Sequence, residues 1–286
     1  MTKWFLFTVA AATSVMFAEP INPSGPWQAV TTPATITGVT ISSSVNTNGT
    51  SAAYWNNASN DTTNVCANIG CYVTGASGFS NSPNLNNPVY LGSNSGAAPG
   101  DFSFNGPASV SATMLGEVAG NASSNWLGWY DQTLAPAQLT AGNVNTNWGI
   151  IYAGSDGVSA VSNFSPTTKF GLFFLPSLSS GSQTTAQLVS AIQSSAYFTE
   201  TSKNTTSSGE QYFALFARSA VAASVIPGDF WVGVEDLGLP GSDRDYNDMI
   251  VRLTISSVVP EPGYFLLVFL GLGGLGLAHL RLRKSA

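Results

Sequence analysis

The chain has 286 residues, of which only 8% are charged, and a formal net charge of −6. Between residues 20 and 259 thirteen acids face five bases (Lys169, Lys203, Arg218, Arg244 and Arg252), a net of −8. Such a body has no basic footprint for a phosphate backbone, which argues against nucleic acid as a partner. Its Thr, Val and aromatic content, broken by Gly, Pro and Asn, favours strands and turns, so the expected fold class is all-β.

Residues 1–18 place Lys3 ahead of an apolar stretch that ends at Ala18. This is the layout of a signal peptide for export through the Sec machinery. Met16 departs from the small residue preferred two positions before the cut, and a retained anchor is the alternative; both imply export. Residues 19–109 are dense in Ser, Asn, Gly and Pro, with short β-like pieces such as Ala34–Ile41. They read as an irregular β region or a subdomain laid against the residues after 109. Cys66 and Cys71 are the chain's two cysteines. In an oxidising compartment a small disulfide loop is their simplest use; a metal or redox site would want closer spacing or further ligands.

Residues 110–257 change texture. Segments 110–116, 125–130, 148–152, 169–175, 211–218, 230–235 and 249–255 are rich in aromatic and β-branched residues and are separated by turn clusters. That spacing predicts strands of a β-sandwich, jelly-roll-like in outline. One helix is expected over Thr184–Ser195, with Ala186, Leu188, Val189 and Ile192 on its apolar face; a loop across a sheet edge is the other reading of that segment. Trp126, Trp129, Trp148 and Trp231 are candidates either for stacking on sugar rings or for burial in the core.

The densest chemical signal lies between Asp229 and Asp248, where six of the fifteen carboxylates fall within twenty residues. Such crowding is costly unless something neutralises it. Asp243, Asp245 and Asn247 alternate, as oxygen ligands do when a loop curls around one point, and Asp248, Glu235 and Asp236 complete a candidate set for Ca2+. The loop is no EF-hand: its sixth position is Asp248 rather than Gly and its twelfth is Thr254 rather than Glu. A metal-free loop, its Asp side chains capping backbone N–H groups and pairing with arginines, is the alternative.

At the far end, Val259-Pro260-Glu261-Pro262 precedes an apolar run over residues 264–280 and the basic residues Arg281, Arg283 and Lys284. The run is about 25 Å long as a helix, enough for a thin hydrocarbon core. The positive-inside rule keeps the basic stop cytoplasmic and puts residues 20–260 outside. The two prolines hold an extended segment ahead of the helix that a protease can reach. A plain anchor, or a helix-packing role for the Gly271–Gly276 cluster, are the other readings.

This layout resembles the PEP-CTERM sorting tail, here residues 258–286. The resemblance implies an exosortase that recognises the Pro-Glu-Pro motif, cuts near it, and releases the protein or transfers it to the cell surface. It also implies a producer of extracellular polysaccharide or biofilm matrix. A second resemblance covers about residues 110–257. Gly128-Trp129-Tyr130-Asp131, Ala153-Gly154-Ser155-Asp156, Gly171-Leu172-Phe173-Phe174, Phe213-Ala214-Leu215-Phe216, Val234-Glu235-Asp236-Leu237 and Ser242–Asp248 resemble the domain of unknown function 4114. That family implies a β-rich extracellular module with the acidic motif at its core, and no established activity.

The single histidine, His279, lies in the tail. A processed body therefore has no His-based triad, His-ligated zinc or imidazole shuttle. The expectation is a non-enzymatic structural, adhesive or glycan-binding protein, held transiently in the inner membrane and then at the cell surface or outside, with extracellular polysaccharide as a partner. The alternative is a carbohydrate-active enzyme using two carboxylates drawn from residues such as Glu117, Asp131 and Asp156.

Overall fold

The computed structural model describes residues 21–23, 27–29, 69–75, 81–93, 98–120, 122–179, 181–204, 210–219, 222, 228–238 and 246–258. The expected leader, the Ala34–Ile41 piece, Cys66 and with it the expected disulfide, and the whole of the expected sorting tail lie outside the described residues. Among the described residues no helix is long and apolar enough to cross a membrane.

In chain order the elements are β1 (Ile21–Pro23), β2 (Trp27–Ala29), α1 (Ile69–Thr74), β3 (Val89–Ser93), β4 (Ala98–Pro99), β5 (Phe102–Phe104), β6 (Ala108–Gly116), β7 (Trp126–Asp131), β8 (Trp148–Tyr152), β9 (Val161–Phe164), β10 (Phe170–Leu175), α2 (Thr185–Ser195), β11 (Tyr197–Phe198), β12 (Phe213–Ala217), β13 (Gly228–Val234) and β14 (Met249–Val258). They form two antiparallel sheets. One runs β1-β5-β10-β7-β8, with β11 also beside β10; the other runs β2-β3-β12-β13-β14-β6-β9, with β4 beside β3. The protein is all-β with few helices, as the composition predicts. Strands from 19–109 and from 110–257 share both sheets: β5 pairs with β10, and β3 with β12.

Alternation along each strand sorts side chains between two faces. In β10, Phe170, Leu172 and Phe174 point into the core between the sheets, while Phe173 and Leu175 join a second layer outside. In β13, Phe230, Val232 and Val234 enter the same central core and Trp231 leaves it for a third cluster. Strands buried on both sides read as unbroken apolar runs, which is why Phe-Gly-Leu-Phe-Phe-Leu carries no polar alternation. Phe104 knits the layers: its ring stacks on Phe170 at 5.1 Å and meets Phe230 of the opposite sheet edge-on at 5.4 Å.

Each outer face is covered by a helix. α2 lies over the smaller sheet and buries Leu188, Ala191 and Ile192 beside Trp126, Tyr130, Trp148 and Phe173. Ala186, placed on the apolar face by the sequence, is exposed, and Ala191 takes its place at the i, i+3, i+4 spacing. The helix starts with a capping box: Thr184 Oγ1 accepts from Gln187 N at 3.3 Å, and Gln187 Oε1 accepts from Thr184 N at 2.8 Å. Replacing Thr184 with Ala is expected to cost about 1 kcal/mol in chemical denaturation, a cost that Thr184→Ser should largely avoid. On the other sheet, α1 places Ile69, Tyr72 and Val73 against Trp231, Phe216 and Ile250.

All four candidate sugar-stacking tryptophans are interior residues. Trp126, Trp129, Trp148 and Trp231 are 8%, 4%, 0% and 2% exposed. Their large apolar surfaces close the core and its outer layers, and none of them offers a face to a sugar ring.

Candidate metal centre

Three neighbouring strands of the larger sheet, β13, β14 and β6, deliver carboxylates to one pole. Register pairs Val234 with Met249 and Ile250 with Gly116, so the end of β13, the start of β14 and the end of β6 lie side by side. The next residues outward are Glu235 and Asp236, Asp248, and Glu117. One oxygen each from Glu235, Asp236 and Asp248 lies within 4.8 Å of the other two. Two ligands that each stand up to about 2.6 Å from a shared Ca2+ are at most about 5.2 Å apart, so this spacing fits one ion.

Local contacts hold these groups in place. The Glu235 N–H donates to the Tyr212 carbonyl at 3.0 Å, which carries the β12–β13 pairing one residue past the strand. The Asp236 N–H donates to Asp248 Oδ2 at 2.7 Å, and Asp236 Oδ2 accepts from Asn125 Nδ2 at 3.1 Å. Asn125 is itself oriented by the Ser177 N–H, which donates to its Oδ1 at 3.1 Å. The chain returns to β14 over Gly233, where a Cβ would sit 2.4 Å from the Tyr246 carbonyl oxygen. Only glycine permits that approach. Tyr246 has a left-handed backbone (φ 54°) and a buried ring whose hydroxyl donates to the Gln211 carbonyl at 2.8 Å.

Glu235, Asp236 and Asn247 are buried, at 2%, 5% and 4% exposure. Glu117 Oε1 is buried with no hydrogen-bond partner among the described residues. Burial first, and the neighbouring Asp236 charge second, push the Glu117 carboxyl from 4.5 up to about 7. Burial also raises the Tyr197 hydroxyl, helped by the charges of Glu210, Asp236 and Glu235. Because the fold favours protonated Glu117, it binds more protons than the unfolded chain between these two values, and stability is lost as pH rises through them. In metal-free buffer the thermal midpoint should therefore fall between about pH 5 and about pH 8, and Glu117→Gln should flatten that fall. Equal slopes for the two proteins would show that Glu117 carries no such strain.

Of the residues nominated from the sequence, Glu235, Asp236 and Asp248 come together, and Asn247 is buried beside them in the chain. Asp243 and Asp245 lie outside the described residues. The sequence nominates Glu117 as a catalytic acid and not as a ligand, because only the β14–β6 register brings the end of β6 to this pole. Asp131 and Asp156 serve their own turns: Asp131 Oδ1 accepts from the Thr133 N–H at 2.9 Å, and Asp156 Oδ2 from the Ala153 N–H at 2.8 Å. The donor set is all oxygen and acidic, with an orphaned buried carboxylate oxygen at its margin, and it suits a hard cation.

No family model, characterised protein or solved structure matches this chain.

Proposed function

We propose that the chain is an exported surface or matrix protein whose β body, a jelly-roll-like sandwich, is stabilised by Ca2+ and acts as a structural or adhesive module rather than an enzyme. The observation that carries this reading is the convergence of Glu235, Asp236 and Asp248, with Glu117 beside them, at adjoining ends of three central strands. Glu235, Asp236 and Asp248 would hold the ion; bound there, it would neutralise buried charge and tie the loop before β14 to the end of β13. The order of sorting motif, apolar run and basic stop at 259–284 supports membrane delivery and removal by an exosortase. With Trp126, Trp129, Trp148 and Trp231 buried, adhesion to polysaccharide would run through groups other than these four rings, the polar surface and the bound cation among them.

The test is intact-mass analysis of the exported protein together with a polysaccharide panel. Cuts after Ala18 and near Pro262, with glycan binding and no new reducing ends, are the expected results. A full-length mass would remove the processing reading.

One observation favours the carbohydrate-active alternative. Glu117, its carboxyl raised by burial to about 7, stands near a second carboxylate, Asp236, and glycoside hydrolysis works through two such neighbouring groups. New reducing ends that disappear in Glu117→Gln would establish it.

A further inference from the structure

We infer that the body stands upright on the membrane, with the pole formed by residues 105–109, 165–168 and 256–258 against the lipid headgroups and the carboxylate pole facing away. The inference rests on the sorting-tail reading and adds an orientation to it. β14 stays hydrogen-bonded to β6 through its last residue, Val258, which pairs with Ala108. Only the five residues from Val259 to Gly263 then separate the sheet from Tyr264, the first of the apolar run. The six residue steps from Val258 to Tyr264 span at most about 22 Å when fully extended. The end of β14 therefore cannot stand off further than that from the point where the tail enters the bilayer.

β14 has ten residues and is about 33 Å long. Its first residue, Met249, lies at the carboxylate pole and its last at the tether. Strand direction alone thus puts Asp248, Glu235 and Glu117 far from the attachment point.

Charge agrees with this polarity. Residues 102–116, 157–168 and 253–258 contain no ionisable side chain. Pro107, Ser165, Thr167 and Thr168 are exposed there, and the Ala108 N–H donates to the Pro166 carbonyl at 3.0 Å, joining the two loops. Charged groups border this pole among the described residues: Asp229, whose Oδ1 accepts from Thr254 Oγ1 at 2.6 Å, Asp131, which caps its own turn, and Lys169, whose carbonyl accepts from the N–H of Gln132, the residue that Glu200 and Lys203 also contact. The membrane's anionic surface repels acids, so a body that keeps the Glu117, Glu235, Asp236 and Asp248 cluster at the other pole meets less repulsion this way up.

The test uses the full chain, uncut, in vesicles of phosphatidylcholine and phosphatidylglycerol carrying an acceptor dye on the headgroups. A small fluorescent amino acid is placed at Thr167 or, separately, at Val118, which is 48% exposed at the carboxylate pole. Transfer from position 167 should exceed that from position 118 by about twofold or more, given a pole-to-pole offset of about 33 Å. Equal transfer, or more from 118, in protein that resists carbonate extraction overturns the orientation and leaves the tail reading standing. Protein that carbonate strips from the vesicles overturns both, through failure of the tail.

Discussion

Ca2+ at about a hundred times its dissociation constant is expected to raise the thermal midpoint of residues 20–259 by about 5–10 °C. The reasoning is linkage: an ion that binds only the folded state at that excess adds about 2.7 kcal/mol, and a body of this size shifts by about 2–4 °C per kcal/mol. The unfolded chain scatters Glu235, Asp236 and Asp248, so nothing comparable competes for the ion. Asp236→Asn keeps an oxygen for Asn125 and removes one charge from the cluster. It should abolish most of the rise while leaving the EDTA midpoint equal or higher, since carboxylate repulsion falls. Asp245→Ala is the matching test of the loop that the alternating Asp243, Asp245 and Asn247 pattern nominates. A wild-type midpoint identical in Ca2+ and EDTA would sink the metal reading.

Phe104→Ala should be among the most damaging single changes, costing about 3–5 kcal/mol and lowering the midpoint by about 6–20 °C. Phe104 is fully buried and touches rings of both sheets, Phe170 on one side and Phe230 on the other. Truncation removes these contacts and opens a void where the layers meet, which neighbouring β-strand backbones cannot collapse to fill. Val161→Ala, at a residue 60% exposed on the edge strand β9, should change stability by no more than about 0.5 kcal/mol. A Phe104→Ala protein as stable as the Val161→Ala control would mean that the sheets are not held together through this ring.

Much of this architecture is legible in the amino-acid sequence, for a physical reason. β7, β8, β10, β12, β13 and β14 are buried on at least one face and carry dense aromatic and β-branched runs, so local composition and tertiary role agree. β9, Val-Ser-Asn-Phe, escapes such a reading because an edge strand with alternating polar residues looks like a loop. α1 escapes it for the opposite reason. Ile69-Gly-Cys-Tyr-Val-Thr74 has strand propensity, yet the i, i+3, i+4 set of Ile69, Tyr72 and Val73 finds a better partner in the Trp231 face than any free sheet edge would offer. At the candidate site, the crowding of acids points to Glu235, Asp236 and Asp248. Glu117 stands apart, because its membership depends on a register between residues more than a hundred positions distant, which no local pattern encodes.

The place of β14 between β13 and β6 also dictates when the molecule can be finished. β6 is synthesised early but lacks its inner neighbour until residue 258 has emerged from whatever pore or ribosome delivers the chain. Until then the edges of β6 and β13 that β14 will occupy stay unpaired, and the contact of β14 with β6, more than a hundred positions back, closes a long loop. On the proposed export route the polypeptide would travel as an open, sticky thread, and a holding chaperone there would decide how much of it arrives intact.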